Sequence, residues 1–178
     1  MSKEFISKYE DGNILYNHMV IKDNNIAFDV HDHDICEMIF IKKGDVQAII
    51  GAKTYKLHKG SLIIFRSHFP HRIIVESNEY ERYDIIFDEK VLANGMFAKI
   101  PENTDVINCG GNRVVEDLLL KMDYYYMNFD GSNIGLLITN IIEELVLNLT
   151  LIANDESNPG LLSVNATINR AVEYIDEF

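Results

Sequence analysis

The chain has 178 residues, 47% of them hydrophobic and 25% charged, which fits a globular domain and argues against collagenous, disordered or purely coiled-coil readings. Sixteen basic against 28 acidic residues leave a formal net charge of −12, a field that repels phosphate and makes DNA or an anionic membrane a poor partner for this chain's own surface. Cys36 and Cys109 form no CxxC and no metal knuckle, which points to a reducing compartment.

In chain order, residues 1–13 are polar and read as an N-terminal arm. They lack the apolar run of a secretory leader, so a cytoplasmic protein is expected. From residue 14 to 88 short β-branched or aromatic runs recur between turn signals. They predict strands near 14–21, 26–30, 35–42, 46–50, 53–57, 61–65, 71–76 and 80–87. Eight short, evenly spaced strands suggest a small barrel or sandwich. Val115, Leu118, Leu119, Met122, Tyr125, Tyr126 and Phe129 then recur at helical spacing, Gly131 breaks the pattern, and a second helix is expected over 134–152. That helix is apolar except for Asn140, Glu143, Glu144 and Asn148, which rule out a membrane span. The segment 154–160 has linker composition, and Asn165 would cap a third amphipathic helix over 166–178.

The segment from His31 to Gly44 carries the chemistry. Read as a strand, it presents His31, His33, Ile35 and Glu37 on one face, followed by Ile39 and Ile41. Two imidazoles and a carboxylate among apolar residues are a donor set for a divalent metal. A fourth donor can come from His71, which opens another strand. The alternative is a hydrogen-bonded polar cluster that holds an effector directly. His18, His58 and His68 have no spaced partners and read as surface or turn residues. Ile39, Ile41, Tyr55, Phe65, Tyr83 and Phe87 are expected to face inward, as core or as the lining of a ligand pocket.

These residues resemble the cupin family. Its first motif, HxH, three or four residues, Glu, six residues, Gly, is met by His31, His33, Glu37 and Gly44. Its second begins at Gly60 and ends in a His, here His71, while Arg66, His68 and Val75 stand where the motif has Pro, Gly and Asn. The Gly that opens the first motif is replaced by Asn25. The resemblance implies a jelly-roll β-barrel, with His31, His33, Glu37 and His71 holding one divalent transition metal (Zn, Ni, Fe or Mn).

One barrel followed by two apolar helices, a linker and the start of another helix is similar to the AraC-type transcription regulators. That likeness implies an arm (1–13), a cupin-like sensing barrel (14–112), a helical dimerisation segment (113–153), and a linker with the opening of a DNA-binding domain (154–178). Partners would be a small-molecule effector and a second copy of the chain, with DNA bound only through helix-turn-helix units outside this sequence and no membrane. The stripe Ile134, Ile138, Ile141, Leu145, Leu149 and Ile152 has near-heptad spacing and reads as the dimer interface, or else as packing on the barrel. A non-enzymatic sensor is the expected function. The alternative is a stand-alone metal-dependent cupin enzyme, a dioxygenase or isomerase.

Overall fold

The computed structural model describes residues 2–22, 26–129, 131 and 133–155. The expected helix over 166–178 lies outside them, as does most of the expected linker. Among the described residues ten strands are formed: β1 (Ser2–Glu10), β2 (Ile14–Lys22), β3 (Ile26–Ala27), β4 (Cys36–Lys43), β5 (Val46–Ile50), β6 (Lys53–Leu57), β7 (Ser61–Phe65), β8 (His71–Val75), β9 (Tyr80–Phe87) and β10 (Val106–Asn108). They build two antiparallel sheets, β1-β2-β9-β4-β7-β10 and β3-β8-β5-β6.

Period-2 alternation sorts the large sheet into two faces. Ile39 and Ile41 of β4, Ile63 and Phe65 of β7, and Met19 and Ile21 of β2 meet Val46, Ala48, Leu57 and Val75 of the small sheet inside the barrel. The alternate residues, among them Tyr16, Met38, Phe40, Leu62, Ile64, Tyr83, Ile85 and Phe87, form a second core on the outer face. Two helices cover it, α1 (Arg113–Asn128) and α2 (Ile134–Ala153). Asn112 caps α1, its side chain accepting from the amides of Val114 and Val115.

Several expectations are corrected. Residues 2–10, expected as an arm, are the edge strand of the large sheet, paired with β2 from Ser2↔Lys22 to Glu10↔Leu15. Its charged residues Lys3, Glu4, Lys8 and Glu10 are exposed, as suits an edge strand, and that polarity mimics a loop in the sequence. The strand expected over 26–30 stops at Ala27.

The expected dimer stripe is spent within the chain. Ile138, Ile141, Leu145 and Leu149 are buried in the outer core, with Ile134 and Ile152 packed against it. A helix this apolar finds its cover on the sheet and on α1. Among the described residues α2 alone is long and apolar enough to cross a membrane, yet six of its residues are core. Glu143 in its polar stripe accepts a hydrogen bond from the Ala93 amide at 2.8 Å.

α1 is pinned by one buried carboxylate. Asp123 accepts from Ser7 Oγ (2.5 Å), Tyr16 OH (2.5 Å) and Tyr83 OH (3.1 Å), and pairs with His18 Nδ1 at 2.7 Å. The other nitrogen of His18 meets Glu81 Oε1 at 2.8 Å. His18, expected at the surface, is therefore buried. Its carboxylate partners lie 105 and 63 residues away, beyond any local spacing rule.

Candidate metal centre

The His31–Ile35 segment is not a strand. His31 makes an isolated bridge to His71, with amide–carbonyl bonds of 3.1 and 2.9 Å, and the chain then bends into β4 at Cys36. The four donors therefore converge through a bridge and a turn, and Ile35 lines a different surface hollow. Two glycines shape the motif. Gly44 has φ +93°, and a Cβ there would strike Ser77 and the Glu79 carbonyl. Gly60 (φ +88°) lies against Gly110, whose Cα would be 2.8 Å from an added Cβ. His68 takes the left-handed φ of +60°, the conformation that the motif's glycine would adopt. Arg66 reaches the carbonyls of Ile100 and Pro101 at 3.2 and 2.9 Å.

One ligand atom from each of His31, His33, Glu37 and His71 lies within 4.8 Å of all the others. The imidazoles are oriented by backbone carbonyls. His31 Nδ1 is 2.9 Å from Asp29 O, His33 Nδ1 is 2.6 Å from Ile35 O, and His71 Nδ1 is 2.8 Å from Phe69 O. A carbonyl only accepts, so each Nδ1 carries the proton and each Nε2 is left to offer its lone pair to the centre. His71 is further fixed by stacking on Phe65, centroids 3.9 Å apart.

Glu37 Oε2 stands 3.1 Å from His33 Nε2 and 3.3 Å from His71 Nε2. Two acceptor nitrogens facing a carboxylate need a cation between them, either protons or a metal ion. The Glu37 pair raises the His33 imidazole, against the opposing effect of burial. Burial would push Glu37 up, but the adjacent His33 and His71 imidazoles and the charge of Arg82 win and hold its carboxyl well below the usual range. His71 Nε2 is buried and makes no hydrogen bond, an orphaned lone pair aimed at the other donors. The donor set and this orphan fit a divalent ion.

The cluster opens into a pocket of about 270 Å³. Of the residues expected to line it, Ile39 and Phe65 do so. Ile41 and Tyr55 are buried elsewhere in the barrel interior. Tyr83 and Phe87 belong to the opposite face, against the helices. The reason is register: Glu37↔Ile86, Ile39↔Asp84 and Ile41↔Arg82 are directly opposed, so 82, 84 and 86 share the inward face of β9. Sequence reading placed the aromatics inside because the alternate positions carry charge. Arg82, Asp84 and Lys3 are thus pocket residues that the motifs do not reveal.

Asp84 is fully enclosed. Burial, reinforced by the negative charge of Glu37, drives its carboxyl up to about 8, while Arg82 Nη2, 3.0 Å away, opposes the rise. Cys36 and Cys109 are both buried and free, and Cys36 points away from the donors, as strand alternation predicts.

Residues 17–86 match the family described as cupin domain. Among solved structures, the chain is similar to an oxalate decarboxylase of Bacillus subtilis (20% identity, TM-score 0.38, covering 43% of this chain and 21% of that one). That enzyme contains Mn(II) centres. It is similar also to a cupin superfamily protein from Desulfitobacterium hafniense (8% identity, TM-score 0.44, 49% and 78% covered) and to the cupin domain of Schizosaccharomyces pombe Cnp3 (12% identity, TM-score 0.45, 50% and 63% covered). The chain thus spans about a fifth of the decarboxylase. A search of curated proteins finds no significant match. The two antiparallel sheets and the His/His/Glu/His cluster agree with this match over residues 17–86, and the fold is cupin-like.

Proposed function

We propose that this chain is the effector-sensing part of a cytoplasmic AraC-type transcription regulator. Its barrel binds a small molecule at a divalent metal (Zn, Ni, Fe or Mn) held by His31, His33, Glu37 and His71. The observation that carries the reading is the two-sidedness of β9. One face of this strand gives Arg82, Asp84 and Ile86 to the pocket, and the other gives Tyr83, Ile85 and Phe87 to the core beneath the helices. Occupancy of the pocket is thereby coupled, through a single strand, to the seating of α1 and α2.

The helices also form the dimer contact in this reading, through residues other than the buried stripe. Leu120, Tyr124 and Met127 of α1 and Leu136, Leu147 and Leu151 of α2 are exposed and apolar. DNA is bound by a domain outside this sequence.

Sequencing the gene beyond codon 178 tests the regulator assignment. Continuation into basic helix-turn-helix patterning is the expected result. A stop codon after Phe178 would remove it. Asp84 favours the second reading, a metal-dependent dioxygenase or isomerase, because a buried carboxyl lining the same pocket as the four donors is a candidate general acid. Turnover by the metal-loaded chain that is abolished in Asp84→Asn would decide for the enzyme.

A further inference from the structure

The pocket has a second, basic end. Arg82, almost fully buried, and Lys3, from the edge strand β1, both line it. Both stand over the ring of Phe28, with Lys3 Nζ 5.3 Å and the Arg82 guanidinium 5.5 Å from its centroid. Arg82 Nη2 bonds Asp84, but Arg82 Nε, Asp84 Oδ1 and the nearby Tyr80 OH are buried without a hydrogen-bond partner. Native structures rarely leave three such atoms together unless a ligand or water completes them. Among the described residues Lys3 has no carboxylate partner.

The charge count defines the ligand. Asp84 at most cancels Arg82. Lys3 and a divalent ion stand against Glu37 alone, which leaves an excess of at least two positive charges once the ion is in place. A partly buried site with such an excess favours an anion that neutralises it. We infer that the pocket takes a small dicarboxylate, with one carboxylate directed to the metal end and the other received by Arg82 and Lys3. This rests on the metal-site reading of the proposed function and deepens it by naming the class of effector or substrate.

The test is calorimetric titration of the full chain, saturated with Mn(II), against malonate, succinate, neutral malonamide and inorganic phosphate. At least one dicarboxylate is expected to bind in preference to malonamide, and the metal-free chain is expected to bind it more than tenfold more weakly. Lys3→Gln, at an exposed site that tolerates change, should weaken binding about threefold. Arg82→Gln should weaken it about tenfold or more. Asp84→Asn, which removes any carboxylate charge from beside the guanidinium, should leave binding as tight or tighter, whereas a merely structural role for these residues would weaken it.

Mn(II) uptake without dicarboxylate binding overturns this inference and leaves the metal site standing. So do equal affinity for malonamide, tighter binding of phosphate than of either dicarboxylate, or affinities unmoved in both Lys3→Gln and Arg82→Gln. Failure to take up Mn(II) or any other divalent ion overturns the inference and the metal-site reading together.

Discussion

Two histidine–carboxylate clusters lie on opposite faces of the large sheet, the outer one buried and the inner one open to a pocket. In the outer one, His18 has a carboxylate on each nitrogen, and Asp123 is surrounded by three hydroxyls and an imidazole. That outer network is closed, and its histidine has no nitrogen left to offer. In the inner one every Nδ1 is tied to a backbone carbonyl and every Nε2 faces the centre, one of them with no hydrogen bond at all. The same side-chain types thus serve two ends. A cluster whose bonds are all made fastens elements together, and a cluster with convergent free lone pairs is a site for a cation.

The two clusters should respond differently to substitution. Asp123→Ala leaves His18, Tyr16, Ser7 and Tyr83 without their shared partner, and should cost about 3–5 kcal/mol by urea denaturation. Leu145→Ala, in the core joining α2 to the sheet, should cost about 2–5 kcal/mol in the same assay. A loss below 1 kcal/mol for Asp123→Ala would show that the outer network is not what holds α1.

Acid separates the faces next. The Asp123 carboxyl is buried, but its bonds to His18, Ser7 and Tyr16 hold it below its ordinary value. A carboxyl depressed in the folded state contributes stability above its unfolded value, near pH 4, and that contribution is lost as pH falls through the folded value. Wild type should therefore lose more stability below pH 4 than Asp123→Asn, which has no such proton to gain. Parallel pH profiles for the two proteins would contradict the assignment. The smallest effect is expected at Leu151, 71% exposed, where Leu151→Ala should change monomer stability by less than about 0.5 kcal/mol while weakening self-association in sedimentation experiments. Unchanged sedimentation in this variant and in Leu120→Ala would remove the helices as the dimer contact.

Much of this was legible in the sequence. Seven of the eight expected strands match the observed spans to within a residue at either end, because turn glycines and β-branched runs are local signals. The four donors were legible as a spaced motif. Other features depend on partners far along the chain. Lys3 joins the pocket only because β1 pairs with β2, and Asp84 only because β9 registers against β4. A charged residue on a strand reads as solvent-facing until its neighbour across the sheet is known. The stripe from Ile138 to Leu149 was legible as buried, but helical spacing alone does not say whether a sheet of the same chain or a second copy covers it.

The central claim is that the inner cluster binds a metal and the outer one does not. Its most direct test is the metal content, after saturation with a divalent ion and gel filtration, of wild type, His31→Ala with His33→Ala, and His18→Gln. The account predicts one equivalent per chain in wild type and in His18→Gln, and none in the double variant, which should keep its fold because His31 is exposed and His33 only partly buried. Metal content unchanged by loss of His31 and His33, or abolished by loss of His18 alone, would contradict it.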